Sequence, residues 1–255
     1  LPLILEPGRS KMSKRNSATA VAEYREAGYL AEALINFLAL LGWHPSAKTS
    51  APDHATEKEI FSLQELVDQF DLSRVQKGGA VFNIEKLDWL NSQYLKSMTN
   101  EEMAERITEN MQIPEGFPKT KLLKVIEITK DRMHKISEFE ELASFFLKLP
   151  DYPKEMLIWK DKKEEDIIEN LKQTTETLQN LDAKEFKKEV FPEVLKLLID
   201  TKGRGEVLWP LRVALSGKEA SPGPFEIMEI LGKIDTLKRI DEAVKKLAGG
   251  QQLAL

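Results

Sequence analysis

From Asn100 onward the sequence abandons any alternating, strand-like pattern and repeats one cadence: a helical segment, a Pro or Gly break, another helical segment. The helical segments cover residues 101–111, 119–130, 138–149, 166–179 and 183–199. A short amphipathic helix has one apolar stripe that must be buried against a neighbour, so this run predicts an all-α bundle or superhelical cage. Leu142, Phe145 and Phe146 recur at helical spacing and are read as core. Lys160-Asp161-Lys162-Lys163-Glu164-Glu165 mixes both charge signs, as a solvated loop and helix start do. Further on, Gly203-Arg204-Gly205 precedes Trp209 to Gly217, and the last helices are expected over 225–231 and 234–247. Ser221 followed by Pro222 reads as an N-cap and a first helical position, a pair that aims free backbone donors out of a helix start. Such donors suit an anion or a base edge.

The first hundred residues are patterned differently. Leu1 to Leu5 reads as a short strand closed by Pro7-Gly8, and helices over 19–27 and 30–41 are separated by Gly28 and ended by Gly42. Leu34, Phe37, Leu38 and Leu41 are expected to share the buried face of the second helix. A strand at Ile60-Phe61 leads into a helix over 62–70, where Ser62 and Glu65 have the spacing of a capping box. Gly78-Gly79 then precedes Ala80-Val81-Phe82, where the chain is expected to cross closely over another element, and a helix follows over 83–94. The fold class is mainly α: a small α+β region followed by an all-α region.

Composition removes several kinds of chemistry. The 255 residues contain no cysteine, so disulfides, thiolate metal sites and a cysteine nucleophile are excluded. His44, His54 and His134 make no paired-ligand spacing, and no metal site is expected. No apolar stretch of about 18 residues offers a membrane span. The net charge of −5 argues against indiscriminate nucleic-acid binding, while a local basic face can still engage a structured RNA. Against this background Lys11-Met12-Ser13-Lys14-Arg15-Asn16 stands out. Two ammonium groups three residues apart are suited to gripping a triphosphate, or they belong to a solvated basic loop. A triphosphate-gripping loop needs a nucleotide-binding fold, and only ten residues precede it here, so the chain is expected to be the C-terminal portion of a larger enzyme.

Four blocks point to one family. Ser10 to Arg15 resembles the signature loop of class I aminoacyl-tRNA synthetases. Gly28 to Trp43 resembles the segment that follows it in glutamyl-tRNA synthetases, as do Phe70 to Val75 and Lys86 to Asn91. Trp209 to Gly217 with Pro222-Gly223-Pro224-Phe225-Glu226 is similar to the anticodon-binding end of the bacterial-type enzymes. The resemblance implies that residues 1–100 hold the end of the catalytic domain and a stem-contact fold. It further implies that 101–145 and 146–255 form two anticodon-binding helical subdomains. The HIGH-type motif and the glutamate and adenine pockets of the family have no counterpart here. The chain alone is therefore expected to bind glutamate tRNA and not to aminoacylate it, ATP, Mg2+ and glutamate being engaged by the complete enzyme. A cytoplasmic or organelle-matrix monomer is implied.

By the same resemblance, Lys14 assisted by Lys11 stabilises the leaving phosphates, and Lys11, Met12, Ser13, Lys14 and Arg15 contact ATP. Asn16 stands where the family often carries His. Arg212 is implied to contact the anticodon, since a guanidinium offers a planar donor fork and a stacking face, the alternative being a structural ion pair. Ser221 and Pro224 match positions beside the anticodon, Pro224 replacing a larger aliphatic residue. Trp209 is read as a core anchor rather than a stacking platform. Arg132 lies where the helical part approaches the anticodon loop. Arg74 either meets the tRNA stem or makes a surface ion pair. Two other readings stay open: a free-standing helical RNA- or protein-binding module, and a related class I enzyme such as the lysine type. The usual glutaminyl enzyme, with a β-barrel anticodon domain, does not fit a helical C-terminal half.

Overall fold

A computed structural model describes residues 3–12, 20–45 and 58–249. They fall into two compact units, Leu1–Gln112 with Lys130–Phe139, and Ile113–Thr129 with Glu140–Leu255. Chain order gives β1 (Ile4–Leu5), α1 (Val21–Glu26), α2 (Ala31–Leu40), α3 (Leu63–Gln69), β2 (Ala80–Val81), α4 (Ile84–Ser97), α5 (Asn100–Asn110), α6 (Lys119–Thr129) and α7 (Glu138–Leu147). Then follow α8 (Glu164–Gln179), α9 (Phe191–Val194), α10 (Lys196–Lys202), α11 (Arg204–Ser216), α12 (Pro224–Leu231) and α13 (Lys233–Leu247).

In the first unit β1 and β2 pair in parallel, Ile4 opposite Ala80 and Leu5 opposite Val81. Gly79 permits that approach, because a Cβ there would come within 2.7 Å of Leu5 Cδ1. The strand expected at Ile60-Phe61 does not form. Asn36 takes its place as bonding partner: its amide donates to the Glu59 carbonyl (2.9 Å) and its Oδ1 accepts the Phe61 N–H (2.7 Å). Side-chain bonds thus satisfy backbone groups that a strand would have paired. The Ser62–Glu65 capping box is present, with Glu65 N–H on Ser62 Oγ at 3.1 Å and Ser62 N–H on Glu65 Oε2 at 2.9 Å. A cap of this kind contributes about 1 kcal/mol. Along α2 the buried stripe is Ala33, Leu34 and Phe37, while Leu38 is 42% exposed, contrary to expectation. Leu30, Leu34, Phe37 and Leu41 keep the helical period, and Leu38 falls one residue off it. Tyr24, Leu34, Phe37, Phe82, Leu87 and Leu90 form one core cluster, and Trp43, Phe61 and Leu66 form another.

Among the described residues, the regular elements of the second unit are all helices. α8, α11 and α13 pack on one another. They bury Ile167 and Leu171, Leu211 and Leu215, Ile240 and Val244. The single helix expected over 183–199 is broken into a 3₁₀ turn at Ala183–Glu185, α9 and α10. Pro192 has no N–H to continue a helix and so sits at the start of α9, while Phe186 and Phe191 fold onto each other edge to face at 4.8 Å. Phe145 and Phe146 are buried as the periodicity requires, and Leu142 is half-buried.

Candidate functional site

A groove of about 710 Å³ runs along one face of α11 in the second unit. Helical spacing builds that face: Arg204, Leu208 and Arg212 recur every fourth residue and line the groove with Gly205 and Trp209. Val207, Leu211, Ala214 and Leu215 point the other way and are buried. Beyond Arg212 the helix stops at Gly217, whose left-handed φ of 64° suits glycine. The opposite wall is the start of α12, with Gly223, Pro224, Phe225 and Glu226.

Ser221 is not the cap of α12. Gly223 occupies that position and Pro224 is the first helical residue, with Glu226 accepting the Gly223 N–H at 2.9 Å. Glycine brings no side chain to the Glu226 amide, so the first turn keeps donors that its own helix does not use. Ser221 is buried instead, its hydroxyl donating to the Pro222 carbonyl at 3.0 Å and its carbonyl accepting from Arg212 Nη1 at 3.4 Å. Pro224 is buried too. Among the described residues Arg212 has no ion pair, and it lines the groove.

Trp209 serves both as anchor and as wall. Its Nε1–H donates to the Met156 carbonyl at 2.9 Å, and its half-buried ring lies 5.2 Å from that of Trp159 at an angle of 47°. Trp159, Lys188 and Arg204 line the same groove and were missed in the sequence. Trp159 stands 50 residues before Trp209 at the edge of a charge run, where no periodicity marks it. Arg204 was visible only as the centre of Gly203-Arg204-Gly205.

The other expected site residues lie in the first unit. Glu6 N–H bonds the Ser10 carbonyl and Met12 N–H bonds the Ile4 carbonyl, at 2.8 and 3.1 Å, which turns residues 3–12 into a tight hairpin. Lys11 is exposed there, and Met12 packs onto the core cluster. Ser13, Lys14 and Arg15 lie outside the described residues. Arg132 is exposed in a 3₁₀ turn, Lys130–Arg132. Arg74 sits 4.0 Å from Asp71, 5.3 Å from the Trp43 ring and in hydrogen bond to the Gln69 carbonyl. The resembling blocks also touch: Tyr29 donates to Asp88 at 2.5 Å and Leu30 N–H to Asn91 Oδ1 at 2.8 Å. Burial, and then that bond to Asp88, raises the Tyr29 pKa well above the usual phenol value. Among the described residues no three His, Asp or Glu side chains converge to hold a metal ion, and no helix is long and apolar enough to cross a membrane.

Residues 90–244 match the family model of an anticodon binding domain, and residues 1–89 match the catalytic domain of class I tRNA synthetases (E and Q). The glutamate–tRNA ligase of Chloroherpeton thalassium is 36% identical over 262 residues, covering 97% of this chain and 50% of its own length. That of Desulforudis audaxviator is 35% identical over 253 residues, covering 96% and 49%. The chain belongs to the glutamyl-tRNA synthetase family. Among solved glutamyl-tRNA synthetases, the glutamate tRNA ligase from Elizabethkingia meningosepticum in complex with its amino acid superposes with a TM-score of 0.79 at 34% identity, covering 96% of this chain and 50% of that one. The glutamate–tRNA synthetase from Elizabethkingia anophelis gives a TM-score of 0.72 at 33% identity, covering 95% and 50%. The chain thus spans about half the length of the synthetases it matches.

Proposed function

We propose that these 255 residues bind glutamate tRNA, with the groove along α11 receiving unstacked anticodon bases. The observation that carries this reading is Arg212: one long hydrogen bond to a backbone carbonyl, no ion pair among the described residues, and a guanidinium facing a groove walled by aromatic rings. A planar fork of donors with a stacking face suits the edges and faces of splayed bases. Lys188 and Arg204 line the same groove and supply charge for the phosphates between them. A chain of net charge −5 can do this because three cations, Lys188, Arg204 and Arg212, line the groove beside the one carboxylate of Glu226.

In the complete enzyme, ATP and glutamate give an enzyme-bound adenylate and pyrophosphate, and glutamate then passes to the terminal ribose of the tRNA. The family works with ATP and Mg2+. In our reading Lys14, with Lys11 beside it and Met12, Ser13 and Arg15 completing the loop, stabilises the negative charge that builds on the leaving phosphates, an electrostatic contribution made in the transition state. Residues 1–100 serve as the catalytic domain's end and stem-contact fold, and 101–145 and 146–255 as two anticodon-binding subdomains. Arg132 acts on the tRNA from the 101–145 region, whereas Arg74 is held by Asp71, the Gln69 carbonyl and the Trp43 ring, and the protein works as a monomer in the cytoplasm or an organelle matrix.

Titrating the purified chain with glutamate tRNA from low to high salt tests the proposal. Binding should weaken steadily, with a log–log slope of about −0.7 for each single-stranded phosphate contact. No binding at low salt, or binding indifferent to salt, contradicts it.

A further inference from the structure

The loop that precedes α8 forms a second wall of the groove, and its construction is specific. Trp159 lies flat against Gly205, where a Cβ would come within 2.5 Å of the indole. Lys162 reaches Glu206 on α11 at 2.8 Å, and the Met156 carbonyl accepts the Trp209 indole N–H at 2.9 Å. Three ties within one unit therefore hold this loop to the helix that carries Arg212. At its tip Lys160 has a φ of +52°, a left-handed conformation uncommon for a residue with a side chain. That backbone puts the Lys160 ammonium 5.1 Å from the centre of the Trp159 ring. Lys160 is exposed, and among the described residues it has no ion pair.

We infer that Trp159 and Lys160 together bind one nucleotide of a single-stranded RNA, the indole stacking on the base and the ammonium taking the adjoining phosphate. The inference rests on the proposed function and adds to it a contact on the wall opposite α12. An aromatic face with a cation poised beside it is the pairing single-stranded nucleic acid needs, since every base has a π-face and every link a charge. The Lys160 ammonium lies over the Trp159 ring, so it moves from the indole to the phosphate when the base takes its place on the ring. A duplex would not fit the same description, its bases being stacked on one another.

Three variants of the chain, titrated with glutamate tRNA at several salt concentrations, test this. Trp159→Leu keeps an apolar filler without a π-face and should weaken binding about tenfold, whereas Trp159→Phe should stay within about threefold of the parent. Lys160→Gly relieves the left-handed backbone and so should not lower the thermal midpoint. It should nonetheless weaken binding and make the log–log salt slope shallower by about 0.7. If the parent binds and all three variants match it, or if Leu and Phe lose equally, the inference falls while the proposed function stands. If the parent binds no glutamate tRNA, both fall.

Discussion

Arg74 and Arg212 are both arginines implied to touch tRNA, and their surroundings differ. Arg74, in the first unit, has its side chain 31% exposed and committed inside the protein: to the Gln69 carbonyl, to Asp71 and to the face of Trp43. Arg212, in the second, makes a single 3.4 Å bond to the Ser221 carbonyl and fronts an open groove. The same residue type is thus held differently according to what its neighbours offer. In the first unit, polar side chains satisfy the backbone of irregular segments that have little regular structure of their own. Along α11, Arg212 makes one long bond and lines an open groove, which leaves donors of its fork for a ligand.

Polar groups of the first unit should be indispensable for stability. Asn36 is the strongest case, being fully buried, donating to Glu59 and accepting from Phe61, with the Tyr94 hydroxyl 2.7 Å from its Oδ1. Asn36→Ala leaves those backbone groups without partners and should cost about 3 kcal/mol in urea unfolding, the scale of two or more unsatisfied buried groups. Arg74→Ala should cost less, about 1 kcal/mol, for a charged hydrogen bond and a cation–π contact that are partly exposed. It should change glutamate tRNA affinity less than twofold, and a larger loss in a titration would place Arg74 on the RNA after all.

A smaller effect should be common to both units. Burial raises Tyr94 in the first and Tyr152 in the second to about 12, from the ordinary 10. Each folded phenol therefore holds its proton more tightly than the unfolded one. The associated stability is complete below about pH 10 and is lost as pH rises through about 12. Urea midpoints followed from pH 9 to 12 should fall, and Tyr94→Phe should flatten that fall relative to its own value at pH 9. An unchanged slope would contradict the role of burial at Tyr94.

Much of the fold was legible because it depends on local rules. The Ser62–Glu65 cap, the close crossing at Gly79 and the boundaries of α5 to α8 follow from chemistry within a few residues. Long-range substitutions for regular structure were not legible. Nothing near Ile60-Phe61 announces that Asn36, 25 residues away from Phe61, will bond its backbone in place of a strand. Ser221-Pro222 reads as a helix start in sequence, but the tertiary burial of Ser221 and the Glu226 carboxylate on the Gly223 N–H put the start at Gly223-Pro224. The groove was half legible. Arg212 stood in a resembling block, while Trp159 joins it only because Gly205 lets the indole lie against α11.

If Arg212 reads the anticodon, its removal should cost base preference rather than stability. The parent chain and Arg212→Ala are each titrated with glutamate tRNA and with a version substituted in its anticodon. The parent should prefer the true anticodon by about 1–3 kcal/mol, as directed base contacts do. The Arg212→Ala chain should unfold at nearly the parent's urea midpoint and lose most of that preference. Equal preference ratios in the two chains would show that Arg212 does not read the anticodon.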